Sequence, residues 1–367
     1  MSIRPTRVEI DLEALRHNVR LMQQTAKDAQ VLAVVKANAY GHGAVPCAKA
    51  ALEAGACMLA VALVEEGIEL REAGIDAPIL MLGQTDSKGA FAAVEYGIAT
   101  VVFTEDTLLA LEGAAKSLGV TAQAHIKLDT GMNRIGVRTK EELEHLLDVA
   151  AQCKHVHIAG AMTHFATADV PESDFGLVQI GRYEEMLAVL SARGVEVVRH
   201  AAASAAAVRY EQAQYDMVRA GIMMYGSDEM HMLPVKPVMR WVTKVVYVKT
   251  IPAGETVSYG RRFTAQQETT IATIPVGYAD GYKRAFTNKA QVLVHGRRVN
   301  VAGTVCMDQV MLDVTGLDVK AGDEVVLLGC QGEEEITAQE LADIAGTISY
   351  EIFTGVSARV PRVFIHE

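Results

Sequence analysis

The segment VLAVVKANAYGHG, residues 31–43, combines a short apolar run with a lysine and a polar turn that contains two glycines. The run ends at Lys36, and Tyr40 follows within the turn. A continuous apolar run of this length indicates a strand that is buried on both faces. A lysine at the end of such a strand is usually exposed to solvent, so this segment alone identifies no site.

Seven further apolar runs follow up to residue 226, and helix-like segments separate them. Strands buried on both faces and separated by helices indicate a parallel sheet, and eight such units close a (β/α)8 barrel. The alternative, an open doubly wound sheet, has no G-x-G-x-x-G or Walker A motif to support it. The eight runs are 31–36, 57–61, 79–82, 100–103, 124–128, 158–165, 195–201 and 217–226.

After Trp241 the pattern changes to short, partly alternating strands that glycines, prolines and polar turns separate. Only ITAQELADIAG (336–346) is helix-like there, with Thr337 as its expected N-cap and Glu340 three residues later. We therefore predict an α/β protein with a TIM-like barrel over residues 1–237 and a mostly β C-terminal domain over 238–367. A short N-terminal segment is expected to pack on the second domain.

Composition excludes some classes of function. The chain has 367 residues and a formal net charge of −11, which argues against nucleic acid or an anionic membrane as a partner. Its five cysteines are scattered and form no C-x-x-C motif, which favours free thiols in a reducing compartment. The N-terminus has no apolar signal region, so we expect a cytoplasmic protein.

Polar residues stand where the predicted barrel strands end, and the active site of a barrel of this kind lies at those ends. Each of them alone has a structural explanation, such as a satisfied core histidine for His164 or a helix N-cap for Ser204. Together they would line one mouth with an amine, two guanidinium groups, a hydroxyl and an imidazole. Such a set suits an anionic ligand and a covalent intermediate on lysine. The residues are Lys36, Tyr40, Lys127, Arg134, His164, Ser204, Arg219 and Gly221.

An ordered set of motifs over nearly the whole chain resembles the alanine racemase family, whose members use pyridoxal 5′-phosphate (PLP). The motifs are AVVKANAYGHG, KLDTGMNRIG, THFATAD, HAAASAA, MVRAGI, VSYG, IPVGYADGY, AGTVCMDQ and SARVPR. The resemblance implies an isomerase that interconverts L-alanine and D-alanine and supplies D-alanine for peptidoglycan. It also implies a homodimer.

The resemblance implies a role for each matching residue. Lys36 resembles the lysine that holds PLP, and Arg219 resembles the residue that faces the pyridine nitrogen. An arginine there stays protonated, so it leaves that nitrogen largely unprotonated and disfavours a long-lived carbanion. The remaining cofactor contacts would come from Tyr40, His164, Ser204, Gly221 and Ile222.

Racemisation needs a second acid/base on the face of the α-carbon opposite Lys36. Tyr278 in IPVGYADGY resembles that residue, which the other subunit contributes in the family. Arg134 resembles a contact to the substrate carboxylate, and Met307 resembles a second contact, made across the subunit interface. Lys127 resembles a lysine that is often carbamylated in these enzymes.

Two positions depart from the family pattern. Ala203 replaces a common asparagine, and Ala358 in SARVPR stands where we expect a tyrosine that reaches the phosphate and narrows the pocket. We therefore expect increased tolerance of serine. The alternatives are a broader serine or amino-acid racemase, a PLP-binding barrel without catalysis, a decarboxylase and a sugar-phosphate barrel enzyme. The motifs after residue 241 disfavour the second, and Arg219 disfavours the third.

Overall fold

A computed structural model describes residues 3–366; Met1, Ser2 and Glu367, at the ends of the two expected domains, lie outside the described residues. Eight parallel strands form the first sheet, in the spatial order β8-β7-β6-β5-β4-β3-β2-β9. The Arg219 amide donates to the Ala202 carbonyl at 2.9 Å, which joins the two ends of the sheet into a nearly closed barrel. The barrel strands are β2 (Gln30–Val34), β3 (Met58–Val61), β4 (Ile79–Met81), β5 (Ala99–Val102), β6 (Ala122–Lys127), β7 (Val156–Met162), β8 (Val198–His200) and β9 (Met217–Ala220).

Each of the eight predicted runs overlaps a barrel strand, so the predicted fold class is confirmed. The strands are shorter than the runs in places. In the last run the strand ends at Ala220, and residues Ile222–Tyr225 form a 3-10 turn. The barrel-side helices are α1 (Leu12–Ala26), α2 (Ala44–Glu53), α3 (Val64–Glu72), α4 (Ser87–Glu95), α5 (Glu105–Leu118), α6 (Lys140–Ala150), α7 (Phe175–Ala192) and α8 (Ser204–Arg209).

Local sequence explains where several helices begin. The Thr139 hydroxyl accepts from the Glu142 amide at 3.1 Å, while the Glu142 carboxylate accepts from the Thr139 amide at 3.3 Å. This reciprocal capping satisfies two amides that would otherwise lack partners at the start of α6. Leu143, Leu146 and Leu147 then face the core at helical spacing. Thr337 caps its helix as the sequence predicts, accepting from the Glu340 amide at 3.0 Å.

The rest of the chain is mostly β. Ten strands form one sheet, in which β1 lies between β10 and β20, antiparallel to the first and parallel to the second. A two-stranded ribbon, β12 with β13, lies beside it. The strands are β1 (Arg7–Asp11), β10 (Met239–Lys244), β11 (Tyr247–Ile251), β12 (Thr256–Val257), β13 (Phe263–Thr264), β14 (Thr269–Ile274), β15 (Gln291–Val294), β16 (Arg297–Val301), β17 (Val310–Asp313), β18 (Glu324–Gln331), β19 (Glu334–Ile336) and β20 (Arg362–Ile365).

Two helices accompany this sheet, α9 (Ala338–Ala345) and α10 (Ser349–Gly355). Only α9 is predicted from the sequence, over residues 336–346. Helix α10 buries Ser349, Ile352 and Phe353. With the buried Val356, these positions follow the i, i+3, i+4, i+7 pattern of an amphipathic helix, which is the signal that the sequence offered.

Within the described part of the chain, none of the helices combines the length and the apolarity that crossing a membrane requires. All five cysteines are free thiols, as the sequence predicts.

Candidate active site

A cavity of about 560 Å³ opens at the carboxyl ends of the barrel strands. It brings together all eight of the residues that the sequence analysis gave for the strand ends. Four lysine or arginine side chains, two tyrosines and three acidic residues are among those that line it. The lining includes Lys36, Tyr40, Lys127, Arg134, His164, Ser204, Arg219, Gly221, Ile222 and Tyr350, with Asp169, Asp228 and Glu229.

Lys36 lies at the start of an unusual left-handed turn. Four consecutive non-glycine residues, 37–40, have φ between 51° and 53°, and Gly41 continues the turn with φ 82°. In this left-handed region the Cβ atom lies too close to the carbonyl oxygen that follows it, which costs roughly 1–2 kcal/mol per residue. Strained backbone of this kind persists only where the surroundings hold it, and it clusters at functional sites.

Two side chains hold this turn in place. The Glu66 carboxylate accepts from the Ala37 amide at 2.6 Å and from the Ala62 amide at 2.7 Å, which ties the turn to the loop after β3. The His42 Nδ1 bonds the carbonyls of Ala39 and Tyr40, each at 3.0 Å. Because carbonyls only accept, Nδ1 carries the proton, and burial lowers the pKa of His42 to about 4.

The amine of Lys36 is partly withdrawn from water. Burial lowers its pKa first, repulsion from Arg134 and Arg219 lowers it further, and the Glu66 carboxylate opposes them. A lysine with a lowered pKa is more often the neutral amine that a nucleophile or a base requires.

Arg219 lies in the barrel interior and is only 3% exposed. Its Nη1 donates to the His200 carbonyl at 2.7 Å, and its Nη2 donates to the carbonyls of Thr163 and Ala201, each at 2.8 Å. Nη2 also lies 3.1 Å from Nδ1 of His164. These bonds use both terminal nitrogens, whereas no described residue accepts from Nε. Burial lowers the pKa of Arg219 to about 10, so it remains a cation at neutral pH.

Three polar groups converge where β9 ends and α8 begins. The Gly221 amide donates to the Ser204 hydroxyl at 2.9 Å. A Cβ at Gly221 would lie 3.2 Å from the Tyr40 hydroxyl and 3.7 Å from the Ser204 Oγ, so a side chain here would fill the cradle between them. Hydroxyl and amide groups arranged in this way suit a phosphate.

Lys127 is buried at the end of β6, with 3% of its surface exposed. Its Nζ has no hydrogen-bond partner among the described residues. Burial lowers its pKa to about 7, and Arg219 and Arg134 add repulsion that Asp129 only partly offsets. A buried amine without a partner fits a site that a further group completes.

Tyr278 and Met307 lie elsewhere on the chain. Their loops are joined by bonds from the Tyr278 amide to the Cys306 carbonyl at 3.0 Å and from the Ala279 amide to the Met307 carbonyl at 3.1 Å. Both side chains are exposed, by 42% and 52%, and neither lines the cavity of its own chain.

The expectation about Ala358 is wrong. Ala358 is exposed and lies outside the cavity lining. The tyrosine that reaches the cavity from the C-terminal domain is Tyr350, on the helix α10 that the sequence analysis missed. The cavity therefore does contain a tyrosine from the C-terminal domain, so a missing tyrosine gives no reason to expect tolerance of serine. Glu66 was also missed, because its role depends on amides of two separate loops.

These groups fit PLP on the chemistry of the donors alone. A lysine amine, a phosphate cradle at Ser204 and Gly221, and an arginine with one unused N–H share a single cavity. The excess of cations over nearby acids also suits an anionic cofactor and an amino-acid carboxylate.

Comparison with known proteins supports this assignment. Family models described as "Alanine racemase, N-terminal domain" and "Alanine racemase, C-terminal domain" match residues 10–229 and 238–364. An alanine racemase of Symbiobacterium thermophilum is 49% identical, over 99% of this chain and 97% of that protein.

Solved structures are similar along the whole chain. Alanine racemase from Bacillus anthracis with bound L-Ala-P superposes with a TM-score of 0.94 at 40% identity, covering 100% of this chain and 96% of that one. A histidine racemase from Leuconostoc mesenteroides has a TM-score of 0.89 at 28% identity, covering 100% and 99%. From its fold, its cavity and these similarities, the chain belongs to the alanine racemase family.

Proposed function

We propose that this protein is a PLP-dependent alanine racemase that interconverts L-alanine and D-alanine. The observation that carries the proposal is the presence of Lys36, the Ser204–Gly221 cradle and the buried Arg219 around one cavity. When it is bound, PLP withdraws electrons from the substrate α-carbon and so acidifies the hydrogen that racemisation must move.

The placement of the donors supports a set of cofactor contacts. Tyr40, Ser204, Gly221 and Ile222 would hold the phosphate, and Lys36 would hold the cofactor covalently. His164 and Arg219 would lie at the ring, where the unused Nε–H of Arg219 suits the pyridine nitrogen. An arginine donates this hydrogen bond without transferring the proton, which favours prompt reprotonation of the α-carbon.

Lys36 acts as the acid/base on one face of the α-carbon. Its lowered pKa supplies the neutral amine that accepts the α-hydrogen, and its protonated form returns a hydrogen to the same face. Arg134, exposed at the rim of the cavity, binds the substrate carboxylate. A carbamate on Lys127 would carry a negative charge that orients Arg134.

Tyr278 acts from the opposite face and belongs to the partner subunit of a homodimer. Its exposure, and its position outside the cavity of its own chain, support a contribution across an interface. The adjacent Met307 offers its backbone amide to the substrate carboxylate from the same side. The domain limits at residues 237 and 238 and a cytoplasmic location, which the free thiols favour, are part of this proposal.

A broader amino-acid racemase is the second candidate, and the similarity to a histidine racemase favours it. The higher identity to an alanine racemase and the tyrosines that line the cavity favour alanine. We expect the product, D-alanine, to serve peptidoglycan synthesis.

The first experiment is an absorption spectrum of the purified protein, followed by borohydride reduction and peptide mapping. We expect a bound-cofactor band and a reduced cofactor on Lys36, together with conversion of L-alanine to D-alanine. A protein that fails to bind PLP after reconstitution, or that carries the label on another lysine, contradicts the proposal.

Mixing two inactive variants tests the shared site. Lys36→Ala and Tyr278→Phe each remove one acid/base. In a mixed dimer, one site combines the intact Lys36 of one chain with the intact Tyr278 of the other, so activity returns if the site is shared. If both residues act within one chain, the mixture stays inactive.

A further inference from the structure

Two histidines lie inside the barrel, behind Arg219. Nη1 of Arg219 is 3.3 Å from Nδ1 of His200, and Nε2 of His200 is 2.9 Å from Nδ1 of His125. All three residues are buried, with at most 3% exposure. The interior of such a barrel is normally filled with branched apolar side chains, so a polar chain here carries a desolvation cost.

The backbone leaves space for this row of hydrogen-bonded side chains. Gly160 on β7 lies opposite His125 on β6, and a methyl group at Gly160 would overlap the His125 ring. The pairing of β6 with β7 shifts its register between Ala124 and His125.

The chemistry of arginine sets the direction of every bond in the chain. A guanidinium only donates, so Nδ1 of His200 must accept. Burial lowers the pKa of His125 to about 4 and that of His200 well below its ordinary value, so both rings are neutral at pH 7. Neutral His200 therefore carries its proton on Nε2 and donates it to Nδ1 of His125. The tautomers of both rings follow from these contacts.

We propose that His125 is a positioning residue for Arg219, acting through His200. This rests on the proposed function, in which Arg219 faces the cofactor ring. Without the acceptor at His125, the Nε2–H of His200 would be an unpaired buried donor. Arg219 would still require the lone pair of Nδ1, so the His200 ring could find a new partner for its Nε2–H only by moving, and that movement would break its contact with Nη1. The acceptor at His125 thus holds the His200 ring, and through it the guanidinium of Arg219, in place.

Two substitutions separate hydrogen bonding from packing. His125→Phe keeps a ring of similar size and removes the acceptor, whereas His125→Asn offers an amide oxygen near the position of Nδ1. Thr100→Val is the control, because Thr100 is buried on the adjacent strand β5 and its hydroxyl has no partner among the described residues.

The primary readout is the tautomer of His200 in the holoenzyme, measured by long-range ¹H–¹⁵N NMR on histidine-labelled protein. We expect the Nε2–H form, with the downfield proton shift of a hydrogen-bonded N–H, in the unsubstituted protein, in His125→Asn and in Thr100→Val, and loss of that downfield shift in His125→Phe. We also expect His125→Phe to lower kcat about tenfold with little change in the KM for alanine. His125→Asn should retain kcat within about twofold.

Three results would overturn the proposal. They are an Nδ1–H tautomer in the unsubstituted protein, full kcat in a folded His125→Phe, and equal losses of kcat in the Phe and Asn variants. If His125→Phe does not fold, the NMR spectrum of the unsubstituted protein and the activity of His125→Asn test the proposal instead. Failure of the unsubstituted protein to bind PLP would instead contradict the proposed function. The NMR measurement on His200 would still test the hydrogen bonds between His200, His125 and Arg219.

Discussion

The rings of Tyr40 and Tyr350 lie 5.8 Å apart, centroid to centroid, and join the turn after Lys36 to the C-terminal helix α10. Burial raises the pKa of the Tyr40 hydroxyl to about 12, so it stays protonated as a hydrogen-bond donor at neutral pH. Tyr350 lines the cavity although 38% of its surface is exposed. The C-terminal domain therefore helps to set the size of the site.

Tyr350 should control the choice between alanine and serine. Replacing it by alanine removes a ring from the cavity wall, so we expect Tyr350→Ala to raise kcat/KM for serine relative to alanine about tenfold, or ~1.4 kcal/mol. Ala358→Tyr is the matched control, because Ala358 is exposed and outside the cavity lining. An unchanged ratio in Tyr350→Ala, or an altered ratio in Ala358→Tyr, would refute this prediction.

Lys127 should form a carbamate. Its pKa of about 7 leaves most of the amine neutral at slightly alkaline pH, and a neutral amine adds to carbon dioxide with release of a proton. We expect a ¹³C carbamate signal at about pH 8 after labelled bicarbonate is added, and its loss as pH falls through 7, where the amine takes up a proton. Lys127→Met should lack the signal, and the same signal in that variant would contradict the assignment.

Asp280 should anchor the loop that carries Tyr278. Its carboxylate accepts from Nη1 and Nη2 of Arg4, each at 2.6 Å, and from the Gly277 amide at 3.0 Å. Burial alone would raise the pKa of Asp280, but these bonds outweigh it and the net shift is downward. Asp280→Asn should therefore lower the free energy of unfolding by ~2 kcal/mol.

The sign of the pH dependence follows from the lowered pKa. The stabilisation is present above the ordinary carboxyl pKa of 3.8 and is lost as pH falls through the folded-state value. Denaturant unfolding at neutral pH and in acid measures both effects. A cost for Asp280→Asn that stays the same in acid, where the carboxyl is protonated, would contradict this account.

Gly41 should be required by the left-handed turn. Its φ is 82°, and an added Cβ would lie 2.5 Å from the Phe353 carbonyl oxygen. We expect Gly41→Ala to cost roughly 2 kcal/mol or more and to speed the loss of bound PLP, because the turn carries Lys36.

Gly113 offers the matched comparison. It lies within α5, and an added Cβ there would meet no atom of residues 3–366 within 4 Å. Gly113→Ala should therefore stabilise the protein by ~0.5–1 kcal/mol and leave PLP retention unchanged. Thermal unfolding and dialysis of the holoenzyme measure the two quantities. Equal behaviour of the two variants would show that the turn does not need a glycine at residue 41.

Much of the site was predictable because the carboxyl ends of all the strands of a parallel barrel lie at the same end of the barrel. Each predicted run overlaps a strand, and residues after those strands, such as Lys36 and Ser204, meet at one mouth. The resemblance to a known family added roles that the residue types alone leave open. Capping patterns such as Thr337 with Glu340 were readable because they depend on neighbours a few residues apart.

Tertiary structure alone decided the contacts between distant segments. Tyr350 reaches the cavity because α10 packs against the turn after Lys36, and the sequence analysis placed the missing tyrosine at Ala358 instead. The unpaired amine of Lys127 and the tautomers of His125 and His200 depend on what surrounds each group in three dimensions. Local sequence therefore determined the strands, the helix starts and the candidate residues. Burial and the pairing of donors with acceptors, which no local pattern encodes, determined which of those residues act together.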